Sequence, residues 1–96
     1  MKVEIKPSTQ KDKKLMAIFT DDEGKKVKTT HFGAKGMSDF TIHKNPERKM
    51  KYLDRHRKRE NWDDPMSAGA LSRWVLWNLP TLKASISDYK KKFSLK

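Results

Sequence analysis

Cysteine is absent from the 96-residue chain, which excludes a disulfide framework and any zinc site built on thiolates. The absence fits a reducing compartment. The N-terminal stretch MKVEIKPSTQ lacks the apolar segment of a secretory signal, so we expect no export by that route. No run of residues approaches 18 apolar positions, so the sequence also predicts no membrane-spanning helix.

Acidic residues are scarce: 12 Asp and Glu stand against 23 Lys and Arg, and the formal net charge is +11. This imbalance predicts attraction to a polyanion, which can be nucleic acid, an anionic membrane surface or an acidic protein. A membrane surface fits less well, because it requires a basic helix with a strongly apolar opposite face.

Hydrophobic residues are also few, at 34% against 36% charged residues. The aromatic residues offset this shortage, because each buried aromatic side chain removes about 150–250 Å² from water. The length corresponds to one domain. We therefore expect residues 1–96 to form a single folded domain with a small core.

The β-rich part, residues 1–33, shows the alternation typical of strands. Three runs, residues 2–6, 13–20 and 25–32, are rich in residues that favour strands. The acidic turn DDEG separates the second run from the third, which indicates a hairpin. The connector GAKGMSDFTIHK, residues 33–44, is irregular by composition.

Three helices are predicted over residues 45–93. Asn45 and Pro46 begin the first helix, which extends over residues 45–60 and buries Met50 and Leu53. Asp64 or Ser67 caps the second, and Thr81 caps the third. The apolar stripe of the second helix contains Leu71, Trp74, Val75 and Asn78; that of the third contains Leu82, Ile86, Tyr89 and Phe93. The fold class is thus α+β: a small antiparallel sheet of about three strands followed by three helices.

The predicted helix 45–60 is the main candidate for a binding site. Residues 44–59 contain eight Lys and Arg and two acids, a balance of +6. Spacings of 4, 3 and 4 bring Arg48, Tyr52, Arg55 and Arg59 onto one face, where arginine suits phosphate and tyrosine can stack on a base. The candidate nucleic-acid-binding residues are Arg48, Lys51, Tyr52, Arg55, Lys58 and Arg59.

A merely solvated helix is the alternative interpretation of the same segment. Glu47 precedes Lys51 by four residues, and Asp54 precedes Lys58 by four, which is the orientation that stabilises helices. Two acids cannot balance eight cations, however, so a surplus of positive charge remains available for a polyanion.

The other motifs are weaker candidates for a functional site. The stretch FGAKG, residues 32–36, could form a phosphate nest, but it lacks the spacing of a P-loop and fits an ordinary connector better. The three histidines lie 12 and 13 residues apart, too far for the close pairs of metal motifs. No nucleophile can be placed beside them. We therefore expect no catalytic residues, no metal and no cofactor.

Residues 31–93 resemble a family of small basic proteins encoded by large DNA viruses of eukaryotes, with relatives in phages. The positions that carry the resemblance are Phe32, Gly33, Asp39, Phe40, Thr41, His43, Tyr52, Arg55, His56, Arg59, Glu60, Asn61, Trp62, Gly69, Leu71, Ser72, Arg73, Trp74, Leu76, Trp77, Pro80, Thr81 and Leu82. The segments RENW and LSRWVLWN are the most specific. The resemblance implies a viral origin and leaves the biochemical activity open.

Together these observations predict a non-enzymatic viral protein that contacts DNA or RNA phosphates through helix 45–60. The alternative is a minor capsid or cement protein whose basic surface meets acidic capsid subunits or the packaged genome. Either role implies a location in the virion or inside the infected host cell.

Overall fold

The computed structural model describes all residues from Met1 to Lys96. Three antiparallel strands form a sheet in the order β1-β2-β3: β1 (Lys2–Pro7), β2 (Lys13–Thr20) and β3 (Lys26–Ala34). The register pairs Val3 with Phe19, and Leu15 with Phe32. The predicted strands and their antiparallel arrangement are confirmed.

The acidic turn between β2 and β3 closes through one side chain. The Asp21 carboxylate accepts hydrogen bonds from the backbone N–H groups of Glu23 and Lys25, at 3.0 and 2.9 Å. Gly24 adopts φ +82°, which a side chain would disfavour. The predicted hairpin therefore rests on an Asp that satisfies the turn amides and a Gly that permits its geometry.

Helices α1 (Phe40–His43) and α2 (Pro46–His56) follow the sheet. The connector predicted to be irregular thus contains one helical turn, because the Asp39 carboxylate caps α1 and accepts from the Thr41 N–H at 2.9 Å. Asn45 caps α2 as predicted and accepts from the N–H groups of Glu47 and Arg48. Helix α2 ends at His56, four residues before the predicted end.

Helix α3 (Ala68–Leu71) begins at the Ser67 cap and continues directly as a π-helical segment (Ser72–Leu76). A π-helix has more residues per turn than an α-helix, so the buried positions of this segment differ from those predicted for a regular α-helix. Leu71, Val75 and Leu76 are buried, Trp74 is only partly buried, and Asn78 lies beyond the helical residues. The longer turn rotates the side chains that follow it around the helix axis, and a pattern of 3.6 residues per turn does not predict this rotation.

Helix α4 (Leu82–Lys92) begins at Thr81, as predicted. Tyr89 is fully buried and Ile86 and Phe93 pack against the core, but Leu82 remains 37% exposed. The first turn of α4 instead makes contact through Ser85, whose hydroxyl both donates to the Leu79 carbonyl and accepts from the Leu79 N–H.

The core lies between the sheet and the segment formed by α3 and the π segment, and Tyr89 of α4 belongs to the same buried cluster. Its members are Val3, Ala17, Phe19, Phe32, Leu71, Val75, Leu76 and Tyr89. Two hydrogen bonds fix the intervening loop: the Thr30 hydroxyl donates to the Met66 carbonyl, and the Tyr89 hydroxyl donates to the Pro65 carbonyl. The architecture is α+β, with a three-stranded sheet followed by helices.

Candidate nucleic-acid interface

Helix α2 presents most of its cations to solvent. Arg48, Arg55 and Arg59 are exposed and take part in no salt bridge, although Arg59 lies in the turn that follows the helix. Lys51 and Lys58 are exposed as well. The three arginines that the sequence predicted to share one face are therefore all exposed to solvent.

The buried face of α2 differs from the predicted one. Leu53 is buried as expected, but Met50 is 57% exposed and Tyr52 takes the inward position. The Tyr52 ring lies parallel to Trp77, with ring centroids 4.2 Å apart, and it also stacks on His56. Burial, together with the Glu60 carboxylate, raises the pKa of the Tyr52 phenol well above its ordinary value.

Tyr52 is consequently a packing residue. Its side chain is 8% exposed and its ring already stacks on two aromatic neighbours, so it cannot offer a free face to a base as the sequence suggested. The error arose because the angular position of Tyr52 lies at the border between the arginine face and the buried face.

Salt bridges within the molecule are few. The Met1 amino group pairs with Asp22, Lys14 pairs with Asp39, and His56 pairs with Glu60. The pairs Glu47–Lys51 and Asp54–Lys58, which supported the solvated-helix interpretation, do not come within salt-bridge distance. Of the 23 Lys and Arg side chains, Lys14 alone is neutralised by a carboxylate.

Two further cations serve the fold. Lys49 donates to the Asn78 carbonyl at 2.6 Å, and Arg73 donates to the Trp77 carbonyl at 2.9 Å. The Arg73 guanidinium also lies 4.0 Å from the centre of the Trp74 ring. Burial lowers the pKa of both side chains. Lys49 thereby joins α2 to the residues after the π segment, whereas Arg73 is held within its own segment, and neither side chain is free to contact a ligand.

A groove of about 800 Å³ opens beside the arginine face. The end of β3, the connector to α1, the end of α2 and the start of α3 surround it. Arg55 and Arg59 line it from the helix side, and Lys13 and Lys14 line it from the sheet side. Its apolar and aromatic lining residues are Phe32, Ala34, Met37, Tyr52, Ala68, Leu76 and Trp77. Arg48, Lys51 and Lys58 lie outside the groove.

The charges in the groove are only partly neutralised. Lys14 donates to the buried Asp39 carboxylate at 2.6 Å, and the Nδ1 atom of His56 lies 2.6 Å from Glu60 Oε1. The four Lys and Arg against the two carboxylates leave a balance of +2 with His56 neutral. The groove thus carries a surplus of positive charge, from side chains that sequence spacing did not bring together.

Two glycines keep the groove walls close. A Cβ atom at Gly33 would lie 2.8 Å from Leu76 Cδ1, and one at Gly69 would lie 2.5 Å from Glu60 Oε2. The glycines therefore allow β3 to approach the π segment and allow Glu60 to lie over the first turn of α3.

In and just after the stretch FGAKG, considered from the sequence as a phosphate nest, two backbone N–H groups are bonded within the chain. The Lys35 N–H donates to the Asp12 carbonyl and the Met37 N–H donates to the Ala34 carbonyl, so the amides at these two positions are already used. The stretch is a connector whose residues contribute one wall of the groove.

No three His, Asp or Glu side chains converge in an arrangement that could hold a metal ion. His31 lies beside Ser8, with 2.7 Å between its Nδ1 atom and the Ser8 hydroxyl, and His43 accepts from the Asn45 N–H. None of the helices has both the length and the apolar character needed to cross a membrane.

Sequence reasoning identified the arginine face but missed the groove. Lys13 and Lys14 lie about 40 residues before Arg55 and belong to no motif, so no local sequence pattern indicates that these residues line the same groove. The His56–Glu60 pair had a signal, a spacing of four residues on a helix and its following turn, which was not used.

Comparison with known proteins defines the family of the chain without assigning an activity. No curated protein and no solved structure matches it. A family model matches residues 3–56, which include the sheet apart from Lys2, as well as α1, α2 and the sheet side of the groove. The match covers more than half of the chain, and the protein therefore belongs to the family of unknown function DUF5754.

Proposed function

We propose that the protein is a non-enzymatic nucleic-acid-binding protein of viral origin, and that it contacts DNA or RNA phosphates through the arginine face of α2. The proposal is carried by the exposure of Arg48, Arg55 and Arg59 without any carboxylate partner. Arginine suits this role because its planar guanidinium offers two parallel donors to a phosphate and stays charged.

Helix α2 and the turn that follows it position these arginines, whose side chains make no salt bridge within the fold. Asn45 caps the N-terminus of α2, while Lys49 and Tyr52 anchor the helix to the following segment through Asn78 and Trp77. The cations that pack and the cations that remain exposed are thus different residues. Such a division leaves the exposed ones available to a phosphate backbone.

The dependence of binding on salt tests the proposal. If four to six phosphates are neutralised, the plot of log affinity against log salt concentration for duplex DNA has a slope of roughly −3.5 to −5.5. Replacing Arg48, Arg55 and Arg59 by Gln is expected to keep the helix, because Gln is nearly as good a helix former. The slope should become shallower by about 2–3 units, with similar weakening for all sequences.

A control of equal charge separates the α2 face from bulk charge. Lys25, Lys26 and Lys28 are exposed in the hairpin and on β3, away from α2. Their replacement by Gln also lowers the net charge by three but should change the slope by less than about one unit. Equal changes in the two triple variants would show that α2 is not the binding site.

A protein partner in the virion is the second candidate function. Met37, Ile42 and Met50 are exposed in the connector before α1, in α1 and in α2. Exposed apolar side chains favour protein contact, as a minor capsid or cement protein would need. The viral origin, and with it a location in the virion or the infected cell, rests on the sequence resemblance.

Mass spectrometry of purified particles distinguishes the two roles. A cement protein is expected at a copy number fixed by the capsid lattice. A nucleic-acid-binding protein of the infected cell is expected outside the particle, or inside it at a copy number that follows genome length.

A further inference from the structure

The groove differs from the rest of the basic surface because it combines cations with an apolar interior. Arg55, Arg59 and Lys13 line it together with the exposed Met37 and Ala68 and the partly exposed Trp77, while the buried Phe32 and Leu76 lie beneath them. A phosphate backbone alone requires only the cations. The apolar interior indicates a ligand that carries a hydrophobic, flat group beside its negative charge.

The size of the groove limits what can enter. A volume of about 800 Å³ lies within the usual range for small-molecule sites, roughly 300–1,000 Å³. One nucleotide fits this volume, whereas a base inside a duplex is enclosed by its stacked neighbours and cannot enter without being extruded. The balance of +2 suits the one or two phosphates adjacent to a single nucleotide.

We propose that the groove holds one unstacked nucleotide of a single-stranded nucleic acid. The neighbouring phosphates contact Arg55 and Arg59, and the base enters the groove beside its accessible apolar side chains, Met37 and Trp77. This inference rests on the proposed function, since it makes the arginine face the place where the strand enters the groove. It adds a preference for unpaired nucleotides that a purely electrostatic surface lacks.

The contribution of the base can be measured with two matched oligonucleotides. The probes are a fluorescent oligothymidylate of about 12 nucleotides and an abasic strand with the same number of phosphates. One base held in the groove is expected to make the thymidylate bind about tenfold more tightly, within the range known for single stacked bases. An oligouridylate of equal length shows whether the sugar matters.

Filling the groove without altering its charge tests the location. Ala68 is exposed at the start of α3 and lines the groove, so Ala68→Trp should occupy the space while every cation remains. The thymidylate-to-abasic preference should fall to about onefold, with duplex binding unchanged. Ala84→Trp is the matched control on the exposed first turn of α4, outside the groove, and should retain the preference.

Circular dichroism and thermal melting confirm that each variant folds. If Ala68→Trp does not fold, Ala34→Phe fills the groove from the end of β3, where an aromatic residue suits a strand. A wild-type protein that binds both single strands equally overturns the groove proposal but leaves the proposed function intact, provided that the salt slope persists. A thymidylate-to-abasic preference that persists in both Ala68→Trp and Ala34→Phe likewise overturns the groove proposal and leaves the proposed function intact. Failure to bind any strand or duplex overturns both proposals.

Discussion

At the scale of single residues, Gly33 determines how closely β3 approaches the π segment. Its φ is +80°, and an added Cβ would lie 2.8 Å from Leu76 Cδ1 and 3.3 Å from Lys14 Cβ. Gly33→Ala therefore combines backbone strain with overpacking. We expect the free energy of unfolding, measured by urea denaturation, to fall by about 2–4 kcal/mol.

Gly36 provides the control for this prediction. Its φ of +89° is similar, but no atom lies within 4 Å of an added Cβ. Gly36→Ala should therefore cost only the backbone strain, about 1–2 kcal/mol. Equal losses of unfolding free energy in the two variants would mean that the Leu76 side chain moves aside at little cost, and that Gly33 is not needed for the close approach of β3.

At the scale of elements, the start of α2 depends on the protonation of His43. The Asn45 N–H donates to His43 Nδ1 at 3.0 Å, which requires the neutral ring with its proton on Nε2. Burial lowers the pKa of His43, and the Arg48 guanidinium lowers it further, while Asp39 opposes them. The Phe40 and Trp77 rings pack against the same imidazole.

This arrangement makes stability depend on pH in a defined direction. Because the pKa of His43 is lower in the folded than in the unfolded chain, the unfolded chain takes the proton first as pH falls. The stabilisation is complete above about pH 6.5 and is lost below it, towards the lower folded pKa. Urea unfolding between about pH 7 and pH 5 should show this loss, and His43→Gln should reduce it. Parallel curves for the two proteins would contradict the assignment.

Helix α4 docks through its middle and its last turn. Tyr89 is fully buried, and the Phe93 ring lies 5.4 Å from it, centroid to centroid. Phe93 is partly exposed at the helix end, so Phe93→Ala should lower the free energy of unfolding by about 2 kcal/mol, below the usual cost for a fully buried Phe. Leu82→Ala should cost less than about 1 kcal/mol because Leu82 remains partly in solvent. Thermal melting can rank the two variants, and a larger loss for Leu82→Ala would contradict this packing.

The starts of α2 and α4 were predictable because capping is local, and Ser67 was one of two caps predicted for α3, whereas the Asp39 cap of α1 was missed. Asn45, Ser67 and Thr81 each accept a hydrogen bond from an N–H within the next three residues, and that chemistry is visible in the sequence. The buried face of α2 was not predictable, since Met50 and Tyr52 were both plausible neighbours of Leu53. The position of Trp77 after the π segment selected Tyr52, and no periodic pattern encodes that partner.

At the scale of the whole molecule, the groove could not be predicted for the same reason. Its cations come from the beginning of β2 and the end of α2, and its apolar wall comes from the π segment. Only the tertiary packing of the sheet against α3 brings these segments together. The charge excess was predictable from composition, whereas the meeting of four of these cations around one groove required the fold.

The uncompensated charge also has a consequence for stability. A net charge of +11 lies within a molecule that extends over 42 × 28 × 25 Å. The screening length is about 30 Å at 0.01 M salt and about 10 Å at 0.1 M, so at low salt the cations repel one another across the whole molecule. Since self-repulsion opposes the compact state, sodium chloride should raise the free energy of unfolding over this range.

The triple variant Arg48→Gln, Arg55→Gln, Arg59→Gln tests the origin of this salt effect. Its formal charge falls from +11 to +8, and the exposed arginines that it removes make no salt bridge that would be lost. We therefore expect the variant to be at least as stable as the wild type at low salt and to gain less from added salt. Urea denaturation at several sodium chloride concentrations measures both quantities. A variant that is less stable than the wild type at low salt would show that the arginines stabilise the fold. That result would weaken the argument that these side chains have no structural role and are available to phosphate.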